Sequence, residues 1–518
     1  MATVRLISIP VTQPSDRQVD PDFRALPCGE LAAAALDTAR KAGASHADFR
    51  VHRLATQSLN LRDGAVQSAV DGSEIGLAVR VVVDGTWGFS SHSELSVDAA
   101  VATAASAVAV AKALRSLNRE RVELADEPVY ANASWVSRYE IDPFEVPTRD
   151  KVDLLSDYSA RLRASDGVDH VTASVLQVKE QSYYADLAGS SITQQRVRLH
   201  PQLEATTVDT AAGAFETMRT LAPPVSRGWE YLGQNSTWDW SDELSRIPGW
   251  LAEKVKSPPV VAGPTDLVID PTNLWLTIHE SIGHATEYDR AIGYEAAYAG
   301  TSFATPDQLG TLKYGSENMH VTADRTEING LSTIGYDDDG VAAQKWDLVR
   351  DGVLVGYQLD RVFAPRLGLA RSNGCSYADS AQHVPIQRMA NVSLEPDPDV
   401  DRSIDDLVAS VDDGIYVVGD KSWSIDMQRY NFQFTGQRFF RIKNGVLDGQ
   451  VRDVAYQATT TDFWGSMDLV GGASTRRLGG AFNCGKAQPG QVAAVSHGCP
   501  AAVFRGVNVL NTRSEAGR

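Results

Sequence analysis

The chain has 518 residues, 43% hydrophobic and 22% charged, with a formal net charge of −18. That composition suits two to four globular domains with cores of ordinary size. An acidic surface of this kind repels nucleic acid and anionic membranes, so neither is expected as a partner.

The four cysteines, Cys28, Cys375, Cys484 and Cys499, are too few for a disulfide scaffold at this size. They read as reduced thiols, which fits a cytoplasmic protein. Residues 1–27 carry no apolar run of signal-peptide length and read as a tail. An N-terminal α/β module is expected over 28–130. Residues 30–42 predict a helix stopped by Gly43. Alternating apolar runs over 47–90 predict a small sheet, turning at Asp63-Gly64, Asp71-Gly72 and Asp84-Gly85. Ser96 reads as the N-cap of a second, alanine-rich helix, too short to span a bilayer.

A middle region of a helix and long strands follows over 131–262. Val152, Leu155, Tyr158 and Leu162 share one face of a helix over 149–164. Residues 168–209 alternate in long runs that turn near Ala188-Gly189, predicting extended antiparallel strands. A helix near 241–256 leads to Pro258-Pro259 and Pro264, which mark a boundary near residue 262. The last unit, 263–518, opens with a buried strand over 265–270 and an apolar helix containing Leu274, Trp275, Leu276, Ile278 and Ile282. Strands and turns then dominate, with turns at Asp338-Asp339-Gly340, Arg350-Asp351-Gly352 and Lys443-Asn444-Gly445. The expected class is α+β: an N-terminal α/β module plus a strand-rich C-terminal catalytic domain with a metal-binding helix.

That helix carries His279-Glu280-Ser281-Ile282-Gly283-His284. A catalytic zinc needs three protein ligands and one open position. Histidines at i and i+4 stand about 40° apart on a helix, but these stand at i and i+5, about 140° apart. A one-residue π-bulge would bring them round, and Gly283 eases such a distortion. Two imidazoles flanking a carboxylate on an apolar helix are costly to bury unpaired, which favours a shared partner. Glu280 is then the natural general base toward a water made acidic by zinc. Glu287 reads equally as a neighbour of the ligands or as an exposed carboxylate. Cys484, among Gly479, Gly480 and Gly485, reads as a loop residue and a candidate thiolate ligand. Cys499, two residues past His497, is its rival. Asp337, Asp338 and Asp339 read as a solvated turn rather than a hard-cation site.

The segment HESIGHATEYD resembles the His-Glu-x-x-x-His segment of the TldD/PmbA metallopeptidases, and of the TldD-type active subunit in particular. The resemblance extends through GLAVRVVVDGTWGFSS (76–91), YDDDGVAAQKWDLVRDGVLVGYQLDR (336–361), VPIQRMANVSL (384–394) and FNCGKAQPGQ (482–491). It implies Zn2+ held by His279, His284 and Cys484, with Glu280 catalytic. It also implies a cytoplasmic peptidase for small or unfolded peptides, including maturation of modified peptides. A homo- or hetero-oligomer with a PmbA-type paralogue lacking the metal motif is implied as well. Tyr377, His383, Arg388, Asn391 and His497 fall in matching segments, where each either orients substrate or is structural. No residue is assigned to substrate binding. The rivals are a zinc hydrolase of a non-peptide amide and an inactive scaffold subunit.

Overall fold

The computed structural model describes residues 17–209, 214–233 and 236–515. Strand (39%) outweighs helix (23%), so the chain is a strand-rich α+β protein. Residues 1–16 of the expected tail lie outside the described residues. The rest of that segment packs on the sheet: α1 (Pro21–Arg24) buries Phe23, and Asp20 takes Lys179 Nζ at 2.9 Å.

α2 (Cys28–Lys41) leads to the hairpin of β1 (His46–Arg62) and β2 (Ala65–Val83). Its turn, Asp63-Gly64, sits at positive φ, 53° and 81°. The turn expected at Asp71-Gly72 is absent. Both residues lie inside β2, opposite Gln57 and Thr56. The long partner strand keeps the chain extended there. Glycine serves contact rather than turning: a Cβ on Gly72 would sit 2.6 Å from Thr56 Oγ1. β3 (Thr86–His92) follows the Asp84-Gly85 turn. Ser96 Oγ then caps α3 (Val97–Leu114) by accepting from Ala99 N at 3.2 Å. By length and composition alone α3 would suit a membrane span. In the fold its Ala100, Ala104, Ala107 and Ala111 are fully buried in a core shared with α2 and β2.

β4 (Ala133–Val136), α4 (Thr148–Arg163), β5 (His170–Asp186), β6 (Ser191–Asp209) and β7 (Ala214–Arg219) come next. The strand order is β3-β2-β1-β5-β6-β4, with β7 on β6. Strands from both sides of residue 130 therefore share one sheet, joined where β1 pairs with β5 from Asp48↔Asp186 to Arg62↔Thr172. α4 and α5 (Trp240–Lys256) form a second core with the other half of that sheet.

A second sheet begins at β8 (Gly263–Ile269). β8 pairs in parallel with strand Asp413–Ile425 and antiparallel with strand Ala502–Asn511. Strands Val454–Thr459 and Asn431–Lys443 continue the order, and the latter also pairs with Asp413–Ile425, so the strands close into a ring. The largest core packs against this ring and against the segment that follows β8. The turn Asp337–Asp339, in the segment that follows β8, packs against the first sheet. The expected turn is present, Gly340 N donating to Asp337 O at 3.0 Å, but it is not solvated. Asp337 and Asp339 are buried. Asp338 takes Arg50 at 2.8 Å, and Asp339 takes Arg80. The arginines of β1 and β2 replace the water that such a turn ordinarily faces.

Candidate metal centre

β8 is followed by Asp270, whose Oδ1 accepts from Thr272 N at 2.9 Å and starts α6 (Pro271–Ile278). Pro271 occupies the first turn, where its missing N–H costs nothing. The apolar run follows α-helical spacing only as far as Ile278. Residues His279–Gly283 then form a π turn, and His284 N donates to His279 O at 3.0 Å, an i to i−5 bond. The wider turn swings the second imidazole round, leaving the two rings 4.7 Å apart between centroids. Polar groups from outside fix the turn. Gln358 Nε2 donates to Gly283 O at 2.7 Å, Trp464 Nε1 donates to Ser281 Oγ at 2.9 Å, and Tyr314 Oη donates to Ser281 O. Gly283 is needed for packing as well as for ease of distortion: a Cβ there would lie 2.6 Å from Met389 Sδ.

Cys484 lies on a strand, Arg477–Lys486, and not in a loop as expected. Gly479 serves close approach, since a Cβ there would meet Trp275 Cγ at 2.2 Å and only glycine lets the strand lie on α6, whereas Gly485, beside Cys484, faces open space. The pairing with Gln491–Cys499 shifts register between Ala481 and Cys484. Cys484 Sγ sits 3.6 Å from His284 Nε2. The ligating atoms of His279, His284 and Cys484 all lie within 4.8 Å of one another, and no fourth His, Cys, Asp or Glu joins them among the described residues. Cys499 is elsewhere, its thiol facing Pro271 O at 3.5 Å. Burial pushes the Cys28 thiol up to about 11 and the Cys375 thiol up to about 12. Burial acts the same way on Cys484, but the charges of His284 and Arg388 outweigh it and bring that thiol below its ordinary value.

Hydrogen bonds settle which ring nitrogens are free. His497 Nδ1 lies 2.7 Å from Val392 O, and a carbonyl only accepts, so this nitrogen carries the proton. Complete burial, with His279 beside it, holds His497 far below its ordinary pKa and therefore neutral. Its Nε2 is then an acceptor, 2.7 Å from His279 Nδ1, which donates. His279 is left with a bare Nε2. The same logic applies to His284, whose Nδ1 donates to Glu287 Oε2 at 2.8 Å. Burial would raise the Glu287 carboxyl, but Lys486, His284 and Arg290 pull it well below its usual range, so it is ionised. Lys486 Nζ is buried and shared by Glu287 Oε1 (3.1 Å), Asp289 Oδ1 (2.8 Å) and the backbone and side-chain oxygens of Gln387 (2.8 and 2.9 Å).

These residues fit a zinc ion. Each imidazole has its Nδ1 committed as donor and its Nε2 left to face the shared point, the arrangement that oriented metal ligands adopt. Tetrahedral zinc, with Zn–S about 2.3 Å and Zn–N about 2.0–2.1 Å, places sulfur and nitrogen about 3.6 Å apart, the separation seen between Cys484 and His284. Glu280 is 5% exposed. Burial would raise its carboxyl, but His279, His284 and Arg429 hold it below its usual range. Its Oε2 accepts from Arg429 Nη1.

The other named residues divide. His497 and Glu287 hold the two imidazoles, and Arg388 donates to Cys484 O and, at 3.1 Å, to Gln491 O. Asn391 Oδ1 accepts from Ser332 N and Ser496 N, which is a scaffold role. Tyr377 donates to Glu180 of the first sheet at 3.2 Å, and His383 pairs with Asp379 at 2.6 Å. Neither belongs to the centre. Sequence reasoning left out Arg429 and Lys486. Lys486 stood inside the Cys-Gly-Lys segment, but nothing local announced its burial.

Two family models match this chain: a PmbA/TldA metallopeptidase C-terminal domain over residues 262–511 and a PmbA/TldA metallopeptidase domain 1 over 47–111. A metalloprotease of Methanothermobacter thermautotrophicus is 30% identical over 90% of this chain and 96% of its own. A zinc metalloprotease TldD homolog of Saccharolobus solfataricus is 22% identical over 45% of this chain and 49% of its own. Among solved structures, TldE from Thermococcus kodakarensis superposes with a TM-score of 0.68 at 15% identity, over 92% of this chain and 99% of its own. That last likeness concerns the fold.

Proposed function

The chain belongs to the PmbA/TldD metallopeptidase family, and we propose that it is a zinc-dependent peptidase using His279, His284 and Cys484 as ligands and Glu280 as general base. The observation that carries this reading is the convergence of two tautomer-fixed imidazoles and one acidified thiol on a single point. When bound, zinc supplies Lewis acidity and makes a water acidic near neutral pH. Three protein ligands leave a position for that chemistry, whereas a structural zinc fills all four.

The chain's own residues do the rest. The Glu280 carboxylate takes a proton from water as the water oxygen bonds to the peptide carbon and the carbonyl π pair moves onto its oxygen. Collapse breaks the C–N bond, and the proton on Glu280 passes to the leaving nitrogen. Glu287 and His497 take no proton in this scheme. They hold the imidazoles in one tautomer and orientation.

We take the substrates to be small or unfolded peptides, including modified peptides under maturation, processed in the cytoplasm, where a free Cys484 thiol persists. The assembly is read as oligomeric, with a PmbA-type paralogue as partner. The test is cleavage of an unfolded peptide, with and without a chelator and with the paralogue present, by wild type and by Glu280→Gln. The variant should keep zinc and lose about 100- to 10,000-fold in turnover. A zinc-loaded variant cleaving at the wild-type rate would show that Glu280 is not the base.

A further inference from the structure

Arg429 lies on the turn between strands Asp413–Ile425 and Asn431–Lys443. Its φ is 64°, a left-handed conformation that an arginine adopts only when its surroundings impose it. Several contacts impose it here. Arg429 N donates to Asp426 O at 3.1 Å, and the Asp426 carboxylate accepts from Tyr430 N and Asn431 N at 2.8 and 3.0 Å. Thr460 Oγ1 donates to Arg429 O at 2.8 Å. From a third segment, Thr301 N and Phe303 N donate to Met427 O and Gln428 O, both at 2.9 Å. A clamped, strained turn thus carries one guanidinium to the metal centre.

At that centre Nη1 donates to Glu280 Oε2, and the side chain is 15% exposed. The Nε–H is buried and has no hydrogen-bond partner among the described residues. A buried charged group with a donor unmet is costly. Neutralising Glu280 alone would require neither the strained backbone nor the extra donor. A lysine on an ordinary turn would serve.

Resting on the peptidase reading above, we propose that Arg429 is a catalytic residue: one arm of its guanidinium holds Glu280 while its remaining donors bind the carbonyl oxygen of the scissile bond as that oxygen takes up negative charge. The guanidinium is planar, so donors on one group can serve the base and the oxyanion together. It is already in place before reaction, which is what makes such donors effective.

The test uses the full-length, zinc-loaded protein with its paralogue and compares wild type, Arg429→Lys and Arg429→Met. Zinc content, thermal midpoint, kcat and KM on an unfolded peptide are measured together. So are the inhibition constants of a phosphinic peptide, which carries a tetrahedral anion, and of the uncharged peptide of the same sequence. Arg429→Lys keeps a cation for Glu280. It should retain zinc and thermal midpoint, lose about 100- to 1,000-fold in kcat with little change in KM, and lose phosphinate affinity far more than uncharged-peptide affinity. Arg429→Met should lose at least as much. An Arg429→Lys enzyme with wild-type kcat, or one that loses phosphinate and uncharged peptide affinity in parallel, would overturn the proposal and leave Arg429 as a partner of Glu280 alone. If zinc-loaded wild type cleaves no peptide and binds no phosphinate, the peptidase reading itself fails and takes this proposal with it.

Discussion

Replacing His497 by Phe isolates the tautomer argument. His497 is fully buried, and its Nε2 is the acceptor, at 2.7 Å, for His279 Nδ1–H. Phenylalanine fills much of the same space but accepts nothing. His279 is then free to carry its proton on Nε2, and that proton must be moved before the nitrogen can bind zinc. A buried donor left unmet costs about 1–3 kcal/mol. Loss of an outer hydrogen-bond partner weakens metal binding by about 10- to 100-fold, or about 1.4 to 2.8 kcal/mol. The two magnitudes agree. Zinc competition against a chromophoric chelator, at fixed pH, measures the affinity. Nitrogen-15 NMR of the apo protein reads the tautomer of His279. His497→Gln keeps an acceptor and should recover part of the loss. A folded His497→Phe protein with wild-type zinc affinity would show that His279 needs no fixing by His497.

Gly283→Val should destabilise the chain by about 1–3 kcal/mol through overpacking and lower zinc affinity, because its side chain enters the space of Met389 Sδ, 2.6 Å from a Cβ. Adding Met389→Ala should restore stability in urea melts. Failure of that rescue would remove Met389 as the cause. Away from the centre, burial and the nearby Asp339 charge push the Asp360 carboxyl up to about 7. The folded chain therefore holds a proton that the unfolded chain releases near pH 4, and this group's contribution to stability falls as pH rises from about 4 to about 7. Asp360→Asn should flatten that slope in melts across the window, and an unchanged slope would contradict the assignment.

The five-residue histidine spacing was informative because it conflicts with an α-helix. Imidazoles about 140° apart cannot meet, and the structure resolves the conflict with the π turn at His279–Gly283. The choice between Cys484 and Cys499 was not legible from spacing. Both follow glycine-containing segments, and only the pairing of strands Arg477–Lys486 and Gln491–Cys499 turns one thiol to His284 and the other to Pro271. His497, Lys486 and Arg429 act on residues far away along the chain, so no local pattern reports their partners. Burial of the Asp337–Asp339 turn was hidden for a related reason. A turn-forming sequence looks the same in water as against Arg50 and Arg80 of another sheet. At Asp71-Gly72 the turn propensity was real, but β1 runs on as a long partner strand and tertiary pairing overrode it.

In the proposed centre one zinc is held by two imidazoles and the Cys484 thiolate. X-ray absorption at the zinc edge of the loaded protein tests it most directly. The spectrum should show two nitrogen scatterers at about 2.0–2.1 Å, one sulfur at about 2.3 Å and one further light atom, with the sulfur lost in Cys484→Ala and kept in Cys499→Ala. A spectrum with no sulfur, with two sulfurs, or unchanged by Cys484→Ala would contradict it.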